Sequence, residues 1–173
     1  MQKLLILCAL EEELPIKHNP YAGITVYTGV GKVNAAMMAA FSIRSKRPDV
    51  VINYGTAGSC NKRLSGLVEC GSFLDRDDSG SFNEDTIITT DFKKAVVSTG
   101  DNFVNKRLNF CDLVDMESYA IAKVCKQTRT EFKCYKYITD YVNSSSMSDW
   151  KKNISKGYEL FLEELDDYIK NSI

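Results

Sequence analysis

The sequence predicts an α/β protein, with helices flanking a mostly parallel or mixed sheet. Three observations lead there. Apolar, β-branched runs of strand length recur along the chain; segments with apolar residues three and four apart fall between them; and several runs break abruptly into small-residue loops. A chain of 173 residues can bury one sizeable core. With no internal repeat, linker or composition shift, it is expected to fold as a single domain over residues 1–173.

Residues 3–10 are continuously apolar after Lys3, as expected of a strand covered on both faces, and they run into Glu11, Glu12 and Glu13. "GITVYT" (23–28) is rich in β-branched and aromatic residues and reads as a second strand. "GVGKVNAAMMAAFSIRSK" follows with alanines and methionines at helical spacing, and Pro48 lies just beyond it. "DVVINYGTAGS" is a third buried strand ending in small residues. Strand-like runs recur at residues 66–75 and 85–98, separated by the polar loop "RDDSGSFNED". "MESYAIAKVCKQ" reads as a helix, with Met116, Ala120, Ile121, Val124 and Cys125 along one side, and "EFKCYKYITDYV" as a strand. From Ser148 or Asp149 one amphipathic helix is expected almost to the end, carrying Trp150, Ile154, Tyr158, Phe161, Leu162, Leu165 and Ile169 on its apolar face.

Composition excludes several classes of function. A formal net charge of −1 offers no basic field for nucleic acid or an anionic membrane. No apolar run approaches the roughly 20 residues needed to cross a bilayer. The N-terminal apolar run is too brief, and too quickly met by glutamates, to read as a signal peptide. Six scattered cysteines form no CxxC pair, and His18 is the single histidine, so zinc-ligand spacing is absent. Cys8, Cys125 and Cys134 sit among apolar neighbours as small core residues, which suits a reducing cytoplasm.

In open α/β sheets ligands bind beyond the carboxyl ends of the strands. Four such ends carry suggestive residues: "CALEEEL", "INYGTAGS", "STGDNFV" and "YITDYVN". Each also has a plain reading. Gly55, Gly58 and Gly100 could serve tight turns, Asp101 could cap a helix and Asp140 could end a strand. "TGVGKVNAA" lacks the earlier glycine and the Ser/Thr after lysine that a P-loop requires, and it does not complete GxGxxG. Its free backbone N–H groups remain able to receive an anion or a sugar hydroxyl.

Taken in order, "CALEEEL", "TGVGKVNAA", "INYGTAGS", "STGDNFV", "VDMESYAIAKVC" and "YITDYVN" resemble the purine nucleoside phosphorylase/uridine phosphorylase superfamily. The likeness is greatest to its hydrolytic branch, the 5′-methylthioadenosine/S-adenosylhomocysteine nucleosidases, and covers residues 4 to about 143. The resemblance implies a phosphorylase/hydrolase-like three-layer sandwich with a central mixed sheet, here shortened. It also implies hydrolysis of the N-glycosidic bond of adenine nucleosides, with no metal or organic cofactor and a homodimeric assembly.

Such a reaction needs an acid for the leaving base, an activated water and support for an oxocarbenium-like sugar. By resemblance Asp140 is the general acid, and Thr139 orients it. Burial at a strand end would favour the protonated form that an acid needs. Glu13 matches the base that takes a proton from water, leaving Glu11 and Glu12 to be solvated or to act on it by repulsion. Glu117 matches the acceptor of the ribose 2′- and 3′-hydroxyls, and a carboxylate suits two adjacent donors. Met116 would pack on the ribose, Phe103 stack on the base, the Val104 backbone read the adenine edge, and Thr56, Ala57 and Gly58 line the wall.

Three departures accompany the match. The chain is short between "GTAGS" and "STGD", a region that in the family helps build the 5′-substituent pocket and the dimer interface. Lys136 stands where many relatives have arginine, and Asn143 where an acid is common. The rival readings are a phosphate-dependent phosphorylase, disfavoured because "CALEEEL" lacks the glycine and arginine phosphate contacts, and a catalytically weak purine-binding protein.

Overall fold

The apolar run at the N-terminus forms β1 (Leu4–Cys8), whose Leu5, Ile6, Leu7 and Cys8 are fully buried. It lies in a computed structural model of the chain in which residues 2–78 and 87–171 are described. The other elements are β2 (Thr25–Tyr27), α1 (Lys32–Lys46), β3 (Val50–Ser59), β4 (Leu67–Asp75), β5 (Ile87–Thr89), β6 (Ala95–Thr99), β7 (Leu113–Asp115), α2 (Ser118–Thr128), β8 (Glu131–Tyr141), α3 (Ser146–Asn153) and α4 (Tyr158–Asn171). Of the loop expected at "RDDSGSFNED", residues 79–85 lie outside the described residues, as does Thr86 of "TIITT".

The strands form one mixed sheet. β1 pairs in parallel with β2 and β3, and β3 pairs in parallel with β8 along its whole length. β8 continues antiparallel to β4, β4 runs parallel to β6, and β6 parallel to β7. β7 returns antiparallel to the end of β3, where Gly58 faces Val114 and Ser59 faces Leu113. The pairings β3–β8–β4–β6–β7–β3 therefore close on themselves, which curls the sheet and draws the ends of β3, β7 and β8 together.

Helices cover both faces, giving the expected three layers. Ala35, Ala39 and Ile43 of α1 and Ile121, Ala122 and Cys125 of α2 share one core with Leu5, Leu7, Val51 and Phe73. Across the sheet, Phe161 and Leu165 of α4 pack with Ile6, Ile52, Tyr54 and Tyr135, and the Phe161 ring stacks on Tyr54 at 4.2 Å. Each such fully buried side chain stabilises the fold by about 1.5–3 kcal/mol relative to exposure.

Two expectations need correction. The C-terminal helix is not continuous: α3 ends at Asn153 and α4 begins at Tyr158. At the break Gly157 sits against Tyr137 so closely that a Cβ would fall 2.2 Å from the ring, and Asn153 Nδ2 donates to the Thr139 carbonyl at 2.7 Å. A straight helix could not satisfy both contacts. The second strand is also shorter than "GITVYT", because Ala22–Ile24 forms a turn of 3₁₀ helix. The three-residue strand β7, by contrast, has no counterpart in the sequence reading.

Candidate active site

β1, β3, β6, β7 and β8 all end at one cavity of about 280 Å³. Its walls include Ala9, Leu10 and Glu13 after β1; Thr56, Ala57 and Gly58 of β3; Asn102, Phe103 and Val104 after β6; and Asp115, Met116 and Glu117 at the end of β7. Asp140 of β8, Met147 and Trp150 of α3, Val30, Val114 and Arg76 complete it. Every residue singled out from the sequence thus lines this cavity except Thr139, which lies behind Asp140 and donates its hydroxyl to Asp140 Oδ1 at 2.8 Å.

Local geometry explains the convergence. The β3–β8 register slips between Ala57 and Gly58, so Ala57 faces Ile138 while Gly58 faces Asp140. Thr139 is the extra residue of this bulge, a device that re-aims the next side chain. Gly58 makes room for it: a Cβ there would lie 3.1 Å from Asp140 Oδ2.

Glu13 is buried, whereas Glu11 and Glu12 are exposed, so the three adjacent charges divide as the sequence allowed. Glu13 Oε1 accepts the Thr56 N–H at 2.7 Å and the Thr56 hydroxyl at 2.6 Å, while Oε2 accepts the Leu10 N–H at 3.1 Å. These bonds fix the carboxylate in place across the first and third strands.

Glu117 lies at the start of α2, and its Oε1 accepts the Gly31 N–H at 2.9 Å. Gly29 and Gly31 both have positive φ, so the glycine turn aims this N–H at a carboxylate of the protein itself. The neighbouring Lys32 N–H is taken by Asp101, which caps α1 from 69 residues away, and the Lys32 ammonium is held by Asp75 at 2.7 Å and Asp77 at 2.9 Å. The Gly31 and Lys32 N–H groups and the Lys32 ammonium are thus engaged by carboxylates of the protein itself.

Beneath the cavity Lys136 Nζ pairs with Asp115 Oδ2 at 2.9 Å, both side chains essentially inaccessible. Burial works against both charges, yet mutual attraction prevails: the Lys136 ammonium is held well above its ordinary range and the Asp115 carboxyl below its own. Thr99 and the Ser118 N–H also bond Asp115. Glu117 has no such partner. Burial first, then the Asp115 charge, push its carboxyl up to about 8.

Among the described residues no group of three or more His, Cys, Asp or Glu side chains is placed to hold a metal ion. All six cysteines are free thiols. No helix of the described residues is long and apolar enough to cross a membrane.

Comparison with known proteins bears on the fold. No family model matches the chain. It is 27% identical over 203 residues to the 5′-methylthioadenosine/S-adenosylhomocysteine nucleosidase of Bacillus subtilis, covering 83% of this chain and 88% of that one. A solved nucleosidase of the same name from Helicobacter pylori, with butyl-thio-DADMe-Immucillin-A, superposes with a TM-score of 0.84 at 20% identity, over 96% of this chain and 99% of that one. The fold is that of the methylthioadenosine/S-adenosylhomocysteine nucleosidases. A third nucleosidase, from Colwellia psychrerythraea in complex with adenine, matches at a TM-score of 0.80 and 22% identity, over 91% of this chain and 90% of that one. The Bacillus match spans 203 residues against a chain of 173, so that nucleosidase carries additional residues within the matched region.

Sequence reasoning missed several members of the cavity. Trp150 was assigned to an apolar helix stripe, yet its indole N–H donates to Thr56 Oγ1 at 3.0 Å and its ring meets Phe103 edge-on at 6.4 Å. Arg76, inside a polar loop, donates to the carbonyls of Asp115 at 2.9 Å, Gly100 at 3.2 Å and Asn102 at 2.6 Å, and also to that of Ser98. A lone tryptophan whose N–H needs a partner was a usable signal; a single arginine after a strand carried none.

Proposed function

We propose that the chain, acting as one nucleosidase-like domain over residues 1–173, hydrolyses the N-glycosidic bond of adenine nucleosides such as 5′-methylthioadenosine or S-adenosylhomocysteine, releasing adenine. The observation that carries this reading is the meeting of Asp140, Glu13 and Glu117 in one cavity, each held by a different backbone or hydroxyl donor. Asp140 donates a proton to the purine as the bond to the sugar breaks, with Thr139 fixing the acid's rotamer. Glu13 takes a proton from the water that adds to the anomeric carbon. Glu117 accepts hydrogen bonds from the ribose 2′- and 3′-hydroxyls through its carboxyl oxygens, Met116 packs on the ribose and Phe103 stacks on the base. The Val104 backbone reads the adenine edge, and Thr56, Ala57 and Gly58 form the wall behind it.

Water is the acceptor in this reading because the cavity repels anions. Glu13 and the Lys136-paired Asp115 line it as carboxylates, Glu117 as a carboxyl that holds a proton in the empty site and Asp140 as the acid of this reading, and Arg76 is the one cation among the described lining residues. Both terminal nitrogens of Arg76 are already engaged by backbone carbonyls. A homodimeric assembly is part of this reading and is supported by α1, which buries Ala35 and Ala39 on one side yet exposes Val33 by 77%, Met37 by 59% and Phe41 by 71% on the other. Three large apolar side chains four residues apart form a stripe suited to a second copy of the chain. Six free thiols fit a reducing, cytoplasmic compartment.

The test is adenine release by purified protein from adenosine, 5′-methylthioadenosine and S-adenosylhomocysteine, with and without phosphate. Release without phosphate is expected, with kcat/KM for the first two substrates within about tenfold. Strict dependence on phosphate would make the protein a phosphorylase; ligand binding without turnover would make it a purine-binding protein.

A further inference from the structure

We infer that Trp150 is a positioning residue for Glu13, acting through the Thr56 hydroxyl. The inference rests on the hydrolase reading for the role of Glu13, but its geometry is independent of that reading. An indole N–H can only donate, so the bond from Trp150 Nε1 to Thr56 Oγ1 at 3.0 Å has one possible direction. With its oxygen accepting from the indole, Thr56 directs its single hydroxyl proton to Glu13 Oε1, 2.6 Å away. The Thr56 N–H reaches the same oxygen at 2.7 Å. Both lone pairs of Oε1 are thereby filled. Oε2 has one firm donor, the Leu10 N–H at 3.1 Å; the single Cys8 thiol proton is nearer the Leu10 carbonyl, 3.4 Å against 3.5 Å, so Oε2 keeps a free acceptor position and is the oxygen that receives the proton from water.

Without the indole, the Thr56 hydroxyl is free to turn about its Cα–Cβ and C–O bonds, and Oε1 loses its shorter donor for part of the time. The carboxylate then samples more than one orientation. Precise placement of the base is what converts a nearby carboxylate into an effective one.

Trp150 is itself well anchored. One turn further along α3, Asn153 Nδ2 donates to the Thr139 carbonyl at 2.7 Å, and the Thr139 hydroxyl in turn bonds Asp140. The indole ring also leans edge-on against Phe103. A single short helix thus touches the threonine partners of both proposed catalytic carboxylates. Trp150 is the single tryptophan of the chain, so its fluorescence reports this contact directly.

The experiment compares Trp150→Phe, Thr56→Val, Thr56→Ser and the double variant Trp150→Phe/Thr56→Val. Phenylalanine keeps the ring against Phe103 and removes only the N–H. Loss of one neutral hydrogen bond predicts a fall in kcat of about fivefold for Trp150→Phe, with KM changed less than about twofold. Thr56→Val should fall further and Thr56→Ser should retain most activity. In the double variant kcat should stay within about twofold of Thr56→Val alone, because both substitutions break one chain of bonds. A raised KM with unchanged kcat in Trp150→Phe, or losses that multiply in the double variant, would overturn the inference in favour of simple cavity lining. Independently of turnover, the Trp150 emission should move to shorter wavelength in Thr56→Val and stay in place in Thr56→Ser. If the parent protein releases no adenine, the hydrolase reading fails. The Trp150–Thr56 contact then stands or falls on that emission, and an unchanged spectrum in Thr56→Val overturns it.

Discussion

Replacing Glu117 by glutamine isolates the electrostatic strain of the site in one measurement. Glutamine keeps the oxygen that accepts the Gly31 N–H and removes the ionisable group. In the folded protein the carboxyl is pushed from an ordinary 4.5 up to about 8 by burial and by the Asp115 charge. A group whose folded pKa is raised binds its proton more tightly in the native state. Its stabilising contribution is therefore complete below pH 4.5 and is lost as the pH rises through about 8. Each pH unit within that window is worth about 1.4 kcal/mol. Between pH 5.5 and 7.5 the parent should thus lose about 2.5 kcal/mol of stability relative to Glu117→Gln. The assay is urea unfolding of both proteins at these two pH values, followed by the fluorescence of Trp150. With the slope usual for small domains, the difference in midpoint between the two proteins should change by roughly 1 M urea. Parallel behaviour, with that difference constant across the window, would refute the assignment of a strained carboxyl at this position.

Three further outcomes are expected. Asp140→Asn should keep the fold and ligand binding while turnover drops roughly 10²- to 10⁴-fold; a change of only a few-fold would remove Asp140 as the acid. Glu13→Gln should nearly abolish adenine release while Glu11→Gln and Glu12→Gln, both at exposed positions, should leave it almost intact. Equal losses at all three positions would show that the base lies elsewhere. Lys136→Met strands the buried Asp115 without its partner at 2.9 Å and should lower the unfolding free energy by about 3–5 kcal/mol, read by urea denaturation. A loss under about 1 kcal/mol would mean that Thr99 and Ser118 alone suffice to hold Asp115.

How much of this was legible in the sequence depended on how local the determining force was. β1, β3, α1 and α2 were readable because burial on a defined face leaves a local pattern: continuous apolar residues in β1, small and apolar residues at helical spacing in α2. β7 was not readable, since three residues cannot display a period and its pairing partners lie in β3 and β6, far along the chain. The break between α3 and α4 escaped for the opposite reason. Trp150, Ile154, Tyr158 and Phe161 keep a three-to-four spacing straight through it, and only the distant ring of Tyr137 forbids a continuous helix. Within the site, the residues found by motif face the cavity, apart from Thr139 behind Asp140. Trp150, Arg76 and the Asp115–Lys136 pair were missed because their work is done through partners 20 or more residues away.

The arrangement of charge links these observations. Four acidic side chains line one cavity, while the nearest ammonium, that of Lys136, lies beneath it and is committed to Asp115. So many acidic groups in a buried place cannot all ionise in the empty site, and Glu117 responds by holding a proton. The proposed reaction changes that balance at its midpoint. As the bond to the purine stretches, the sugar ring gains positive charge, and Glu13 and Glu117, already fixed by Thr56 and Gly31, need not move to meet it. Interactions that are unfavourable in the empty site and favourable only with a cationic sugar lower the barrier without tightening the ground state. A phosphate would instead enter as an additional anion beside the same carboxylates. The charge imbalance that strains Glu117 therefore selects both the kind of transition state the cavity stabilises and the neutral water that completes the reaction.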